Sequence, residues 1–375
     1  MRIQTITPHV LKYELPEPFG SSLGLYKLRQ VTLVEVTTDD GITGWGESYG
    51  LPEPVAAAIT AGLAPMVLGK DPFDTEPLWH HCYSQTRNWG QKGPALAALS
   101  ALDIAFWDIK AQALNLPLYR LLGGAFREQV STYASGCYYK ANQSLADLER
   151  EAASYRERRF PGLKMKIGGR TIVEDVQRVA AVRAAIGDDM LLMVDANRAY
   201  DPATAIEIGR RLEEQRIFWL EEPVPPEDVA GYCQVKGALK TMIAGGETEH
   251  TRWGFARLLE ARAVDVAQPE ACSAGGISEY LKIATLASIA GATVVPHFHG
   301  TAVAFAAALH LAAALPGPGP ASLVPLLELD QADNPLRELL AEQPLETRDG
   351  LTSVPDRPGL GITLDRKVLE RYSVA

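Results

Sequence analysis

Apolar and polar positions alternate along the chain in a pattern that changes near residue 130. Before that point, three segments have strand composition, at residues 2–14, 29–38 and 42–48. Helical patterns follow near residues 52–68, 74–86, 92–114 and 117–122. Strands followed by helices, with the turn-forming Gly123 and Gly124 at the end, predict an α+β unit.

Beyond residue 130, apolar segments of strand length alternate with amphipathic segments such as residues 173–187 and 202–215. The strand-like segments lie at residues 130–135, 163–168, 190–196, 218–223, 241–247, 264–270, 293–298 and 323–329. Eight strand–helix units in about 200 residues predict an α/β fold of the (β/α)8-barrel type. The Ala-rich run at residues 301–315 is too short to cross a bilayer, so it predicts a buried helix.

These patterns divide the chain into three parts. We expect an α+β capping domain over residues 1–125 and a catalytic barrel over residues 126–335. Residues 336–375 contain strand and turn signals but exceed what the barrel needs. We therefore expect this C-terminal segment to pack back on the capping domain and complete it.

The composition and charge of the chain limit the classes of function and the partners to be expected. The chain has 375 residues, 47% of them hydrophobic and 22% charged, as expected for a soluble globular protein. Its formal net charge of −10 disfavours nonspecific binding to nucleic acids or anionic membranes. Four scattered cysteines without a CxxC pair, and an N-terminus unlike a signal peptide, predict a cytoplasmic location.

One predicted strand, in the sequence LKMKIGG, carries two lysines. Side chains alternate along a strand, so Lys164 and Lys166 share one face while Leu163, Met165 and Ile167 share the other. Two like charges on one face of a buried strand destabilise it unless nearby groups interact favourably with them.

Ionisable residues also end the later strands. They are Lys166, Asp195, Glu221, Glu247, Glu270, His297 and Glu328, separated by 29, 26, 26, 23, 27 and 31 residues. Strand ends in a barrel converge on one rim, so this spacing predicts a shared site. For any single residue the alternative is a helix cap or a solvated loop residue.

Three consecutive acids in this series, Asp195, Glu221 and Glu247, indicate a metal site. Three carboxylates in an apolar barrel mouth repel one another, and a divalent cation relieves the repulsion. Oxygen ligands without His or Cys favour Mg²⁺. The alternative is that the acids pair with Arg or Lys instead.

His297 follows the seventh strand, one strand from Glu270. A carboxylate beside an imidazole fixes its tautomer and stabilises its protonated form, which favours an acid–base role over a structural one. Glu328 closes the ring, and as a protonated or hydrogen-bonded group it could stabilise negative charge on a substrate oxygen.

The segments LKMKIG, VDANRAY, WLEEPVPPED, AGGE, QPEACSAGGISE and VVPHFHGT, taken together, resemble the enolase superfamily and its mandelate racemase subgroup. The resemblance covers nearly the whole chain. It implies a capping domain over a barrel, a symmetric homo-oligomer, and Mg²⁺ held by Asp195, Glu221 and Glu247.

The resemblance also implies roles around the substrate. Lys166 would be the base on one face of the α-carbon, and His297 the acid or base on the opposite face, with Glu270 as its partner. Lys164 would contact the substrate carboxylate and help lower the pKa of Lys166. Glu328 would donate a hydrogen bond to the carboxylate, and Asn197 would lie near metal and substrate. His299 is two residues past the family's position and is not expected to be catalytic.

Two features bear on the subgroup. The muconate cycloisomerase branch places a lysine at the end of the sixth strand, whereas this strand ends in QPE and His297 is present. This favours the racemase and sugar-acid dehydratase branch. The usual histidine partner is Asp, and Glu270 departs from that pattern.

The implied reaction is removal of the proton α to a carboxylate to form an enediolate. We expect loss of water from a sugar acid or related hydroxy acid to follow. The alternatives are racemisation or epimerisation of such an acid, and a barrel that only binds a carboxylate and a metal.

Substrate contacts are expected from the capping domain. Residues 18–26 and 47–53 are the candidates for loops that close over the barrel, with a mobile flap among them. Tyr138, just after the first barrel strand, is a further candidate. No arginine cluster indicates a second substrate carboxylate, although Lys27 or Arg29 could reach one.

Overall fold

The computed structural model describes residues 1–317 and 325–374. Its first part is built on a four-stranded antiparallel sheet, ordered β3-β2-β1-β5. The strands are β1 (Ile3–Ser21), β2 (Gly24–Thr38) and β3 (Thr43–Ser48), with β5 added from the start of the barrel. The three strands predicted before residue 50 are therefore confirmed, although the first two are longer than expected.

The extra length of β1 and β2 corrects one expectation. Residues 18–26, predicted as a mobile loop, form the paired end of a hairpin, with Phe19 opposite Tyr26 and Ser21 opposite Gly24. Gly20 permits this close turn, because a side chain there would lie 2.1 Å from the carbonyl oxygen of Gly24. The hairpin turns at residues 22–23.

Helices cover the sheet as the apolar patterns predict. They are α1 (Pro52–Ala57), a π-helical turn (Ala58–Leu63), α2 (Ala64–Val67), α3 (Thr75–Gln85), α4 (Pro94–Ala113) and α5 (Leu118–Leu121). Helix α4 is buried along most of its length, because it lies between β3 on one side and the barrel on the other.

The barrel begins with β4 (Gln129–Gly136), and β5 (Tyr139–Lys140) then pairs with the end of β1. The remaining parallel strands are β6 (Gly162–Lys166), β7 (Leu191–Asp195), β8 (Trp219–Glu221), β9 (Met242–Gly245), β10 (Val266–Ala267), β11 (Thr293–Val294) and β12 (Leu326–Asp330). Hydrogen-bonded ladders join β12, β4 and β6 through β11 in that order. Residues 323 and 324 of the last predicted strand lie outside the described residues.

Helices separate the strands in the predicted alternation. They are α6 (Leu145–Glu157), α7 (Ile172–Ile186), α8 (Pro202–Leu212) with a 3-10 turn (Glu213–Gln215), α9 (Val229–Ala238), α10 (Thr251–Glu260), α11 (Gly276–Ala290) and α12 (Ala302–Ala314). Every residue of α12 is buried, which confirms the buried helix predicted from residues 301–315. Among the described residues, no helix is long and apolar enough to cross a membrane.

The sixth and seventh predicted strands are shorter than their apolar composition suggests. β10 and β11 each pair over two residues, and the chain then continues as irregular backbone. Pro269 and Pro296 follow these strands and lack the amide hydrogen that a longer ladder requires. The irregular segments carry Glu270 and His297.

The barrel interior contains one buried apolar layer drawn from almost every strand. Its buried members are Tyr133, Met193, Trp219, Ala244, Val266, Val295 and Leu326. Leu163, Met165 and Ile167 instead pack outward against the helices. This confirms the predicted alternation on β6, with both lysines on the inner face.

The C-terminal segment comprises α13 (Pro335–Glu338), β13 (Thr347–Arg348), β14 (Leu351–Ser353) and α14 (Arg366–Tyr372). It contacts both larger parts of the fold. β14 pairs with β4 in the barrel, whereas Leu118 donates a backbone hydrogen bond to Gly359 and Ser373 bridges to Leu11 on the capping side. The division at residues 125 and 335 stays a prediction.

Candidate active site

The predicted rim residues meet at the carboxyl ends of the barrel strands. Lys166, Asp195 and Glu221 are the last residues of β6, β7 and β8, and Glu328 lies within β12. Glu247, Glu270 and His297 lie two or three residues beyond their strands. All are at least nine-tenths buried.

A cavity of about 390 Å³ lies between this rim and the capping domain. Barrel residues that line it include Lys166, Asn197, Glu247, His297 and Glu328. The capping domain contributes Phe19, Tyr26, Arg29, Glu47 and Tyr49. Both segments predicted to cover the barrel therefore border the cavity.

The three acids of the predicted metal site lie together. Asp195, Glu221 and Glu247 each offer a carboxylate oxygen within 4.8 Å of the others. Trp219 Nε1 and Gln268 Nε2 donate to Glu221 Oε2 at 3.0 and 2.8 Å. These donors orient the carboxylate, so the cluster fits a hard cation that prefers oxygen ligands.

Both lysines pair with these carboxylates. Lys164 Nζ lies 2.6 Å from Glu221 Oε1 and 2.9 Å from Glu328 Oε1, and its side chain is fully buried. Lys166 Nζ lies 2.5 Å from Asp195 Oδ2. The acids therefore take part in ion pairs and also form the triad. Lys164 is not among the residues that line the cavity, whereas the resemblance implied that it contacts the substrate carboxylate.

The pKa of Lys166 differs from the sequence-based expectation. Burial lowers this pKa more than any other single cause, but the carboxylates of Asp195, Glu247 and Glu328 together raise it by more, so the net shift is upward. Lys164 does act in the expected direction, lowering the pKa of its neighbour. The close Asp195 contact outweighs that contribution.

His297 and Glu270 form the expected pair despite the longer acid. His297 Nδ1 lies 2.9 Å from Glu270 Oε2, while Glu270 Oε1 accepts a hydrogen bond from the backbone of Cys272 at 2.9 Å. His297 Nε2 lies 3.2 Å from Glu247 Oε2. Burial lowers the pKa of His297, but the carboxylates of Glu247 and Glu270 raise it to about 10. The imidazolium form is therefore favoured.

Glu328 differs from its expected role as a hydrogen-bond donor. Burial raises its pKa, but the positive charges of Lys164, His297 and Lys166 together lower it by more, so the net shift is downward. An ionised carboxylate accepts hydrogen bonds and donates none. The structure therefore favours Glu328 as the ionic partner of Lys164.

Sequence reasoning missed Asp330, which organises the far side of the cavity. Arg29 Nη2 lies 2.5 Å from Asp330 Oδ2, and Tyr138 donates to Asp330 Oδ1 at 2.9 Å. Arg29 Nη1 also lies 2.8 Å from His299 Nε2. Asp330 is two residues after Glu328, so the period of the strand places both on one face. Lys27 is exposed and does not line the cavity.

Two family models match the chain. Residues 4–123 match the mandelate racemase / muconate lactonizing enzyme N-terminal domain, and residues 147–368 match the enolase C-terminal domain-like family. Together they span both main parts of the fold.

Individual proteins are also similar to this chain over its whole length. D-galactarolactone cycloisomerase from Agrobacterium fabrum is 42% identical over 375 residues, with 99% of each chain covered. The crystal structure of 3,6-anhydro-D-galactonate cycloisomerase from Zobellia galactanivorans is 39% identical, with a TM-score of 0.91 and full coverage of both chains.

A third relative was solved with a metal. L-talarate/galactarate dehydratase from Salmonella typhimurium LT2, liganded with Mg and L-lyxarohydroxamate, is 33% identical with a TM-score of 0.89, covering 100% of this chain and 93% of that one. The cap over a barrel, the acidic triad at its rim and these matches agree with one another. The chain therefore belongs to the enolase superfamily and, within it, to the mandelate racemase subgroup.

Proposed function

We propose that this protein removes the proton α to the carboxylate of a small sugar acid or its cyclic derivative, and then expels an oxygen from the β-carbon. The observation that carries this proposal is the position of two proton-transfer groups at one cavity. Lys166 contacts the triad at Asp195, whereas His297 contacts it at Glu247. An α-carbon between them is accessible to a base on one face and an acid on the other.

We propose Asp195, Glu221 and Glu247 as ligands of Mg²⁺. The support is their oxygen-only chemistry, their mutual distances and the donors that orient Glu221. When bound, Mg²⁺ would supply positive charge that stabilises an enediolate and lowers the pKa of Lys166.

The residues of the chain account for the proton movements. Neutral Lys166 accepts the α-proton as the C–H bond breaks, and the electron pair moves into the enediolate. His297, held as an imidazolium by Glu270, donates a proton to the departing β-oxygen as the C–O bond breaks. The resulting enol then tautomerises to a 2-keto acid. Asn197, Tyr138 and Glu328 border the space in which the substrate would be held.

The nature of the β-oxygen distinguishes two versions of this reaction. A free hydroxyl group leaves as water, which is dehydration, whereas a ring oxygen stays attached and the reaction is a ring-opening cycloisomerisation. The similarity to two cycloisomerases over the full chain favours testing the second version alongside the first. Without β-elimination, the same two groups would perform racemisation or epimerisation.

The deciding experiment incubates the protein and Mg²⁺ in heavy water with a library of sugar acids, lactones and anhydro sugar acids. Mass spectrometry detects dehydration, because the product loses one water. NMR detects cycloisomerisation, because the ring-opened isomer is a 2-keto acid that carries deuterium at the β-carbon. Racemisation incorporates deuterium at the α-carbon without eliminating a group. No exchange and no product across the library would instead favour a barrel that only binds carboxylate and metal.

We also propose three features of the organisation of the protein, namely the three-part division of the chain, a cytoplasmic location and a homo-oligomeric state. All four cysteines are free, which supports a reducing compartment. Light scattering coupled to gel filtration tests the oligomeric state directly.

A further inference from the structure

The end of β3 in the capping domain is attached to both loops that carry the His297–Glu270 pair. Glu47 reaches the segment after His297, and the Tyr49 backbone donates to Cys272 at 2.9 Å, two residues after Glu270. The Tyr49 ring also packs edge-on against the His297 imidazole, with 5.5 Å between ring centroids. Residues 47–49 therefore contact each member of the pair or its flanking backbone.

Glu47 makes the strongest of these contacts. Its Oε1 accepts from the Thr301 backbone at 2.9 Å, and its Oε2 accepts from Thr301 Oγ1 at 2.6 Å and from the Ala304 backbone at 2.8 Å. These donors form the first turn of α12, where a carboxylate complements both the free N–H groups and the helix dipole. Only three residues separate His297 from Thr301, so fixing the start of α12 restricts the loop that carries the imidazole.

Three features indicate that the structure is adapted to hold the Glu47 carboxylate in this position. Glu47 is 1% exposed, although it belongs to the capping domain and also borders the cavity. Gly300 leaves room for it, since a side chain there would lie 2.5 Å from Glu47 Oε1. Burial raises the pKa of Glu47 to about 7 even though the hydrogen bonds from Thr301 and Ala304 lower it. A buried acid of this kind is stabilising only while its donors remain in place.

We infer that Glu47 is a positioning residue that, together with Tyr49, holds the His297–Glu270 pair in register, so that the acid–base group on the barrel is aligned by docking of the capping domain. This inference deepens the proposed function, because it assigns His297 an alignment that depends on the other domain. The contact acts through His297 and involves no substrate atom.

Asp103 offers a matched control in the same chain. It also projects from the capping domain, is 1% exposed, and accepts from Ser278 through its backbone at 2.9 Å and its hydroxyl at 2.6 Å. Ser278 lies in the first turn of α11. Asp103→Asn therefore removes an equivalent carboxylate from the start of the preceding barrel helix, α11, without touching the segment that leads from His297.

The first experiment needs no substrate. Protein labelled with ¹⁵N-histidine is examined by ¹H–¹⁵N NMR, and His297→Asn assigns the Nδ1–H signal that donates to Glu270. In Glu47→Gln we expect this proton to exchange with solvent at least about tenfold faster than in the wild type, because the hydrogen bond opens more often. Asp103→Asn should leave the exchange rate unchanged.

Equal exchange in Glu47→Gln and the wild type would overturn the inference, as would equal acceleration in both variants or the absence of this signal from the folded wild type. If Glu47→Gln does not fold, Gly300→Ala displaces the same carboxylate and carries the same expectation. These outcomes stand whether or not the protein turns over a sugar acid.

Turnover supplies the second readout once a substrate is known. Glu47→Gln should lower kcat about tenfold or more, with KM changed less than about threefold, because general acid–base alignment contributes to the chemical step and not to ground-state binding. Asp103→Asn should change neither constant to that extent. A fall confined to KM would contradict a positioning role.

Discussion

Lys164 allows the electrostatics of the site to be tested without a substrate. Replacing it by Met keeps the length of the buried stem but removes the ammonium that lies 2.6 Å from Glu221 and 2.9 Å from Glu328. Its side chain is completely buried, so water cannot take its place in stabilising the negative charge of the remaining carboxylates. Two carboxylates would then be left in the barrel without their main cationic partner.

The expected loss of stability follows from this burial. Removing one partner of a buried ion pair costs about 3–5 kcal/mol, because the remaining charge stays desolvated. An unfolding entropy of about 2.1 cal/mol/K per residue gives about 0.8 kcal/mol/K for the whole chain. Lys164→Met should therefore lower Tm by about 4–6 °C in a chelating buffer.

The assay is scanning calorimetry with Lys140→Met as the control. Lys140 Nζ lies 3.1 Å from Glu17, but both side chains are substantially exposed, so its loss should cost about 0–1 kcal/mol, or about 1 °C. Added Mg²⁺ should narrow the gap between Lys164→Met and the wild type, since the cation takes over part of the neutralisation of Glu221. Equal, small shifts for both variants would refute the assignment of Lys164 as the charge that balances the buried acids.

Three further outcomes follow from other contacts. Asp195→Asn should lose most of the Mg²⁺-dependent rise in Tm and the heat of Mg²⁺ binding in titration calorimetry, because one of three anionic ligands is removed. Tyr138→Phe should destabilise the protein by about 1 kcal/mol in guanidinium titrations through loss of its hydrogen bond to Asp330. His310 is buried, and burial lowers its pKa to about 4. The unfolded chain therefore binds a proton first as pH falls below about 6.5, and the wild type should lose stability between that pH and about 4 by more than His310→Gln does.

The rim of the barrel could be predicted because its signal is periodic. Each of the seven residues lies at or near the end of a strand, and strand ends in a barrel meet whatever the helices between them contain. The alternation of Lys164 and Lys166 with Leu163 and Met165 likewise follows from strand geometry alone. These inferences needed no knowledge of long-range contacts.

Other features depend on contacts between distant segments. Residues 18–26 are rich in Gly and Ser and look like a loop, but pairing of Phe19 with Tyr26 and with Lys140 of the barrel makes them strands. The upward shift in the pKa of Lys166 depends on its distances to Asp195 and to the carboxylates of Glu247 and Glu328, which the spacing of strand ends along the chain does not supply. The attachment of Glu47 to Thr301 spans 254 residues and has no local sequence signal.

The departure at Glu270 is resolved by the same kind of contact. A glutamate is one methylene longer than the usual aspartate, and that extra length would displace the imidazole if both backbones were fixed in place. Here Glu270 keeps a 2.9 Å contact to His297 while its other oxygen is held by the Cys272 backbone. The Cys272 carbonyl in turn accepts from Tyr49 of the capping domain. The longer acid is therefore accommodated by a loop whose position the capping domain helps to set, so that Glu270→Asp without a change in this loop should weaken the pair rather than restore a family standard.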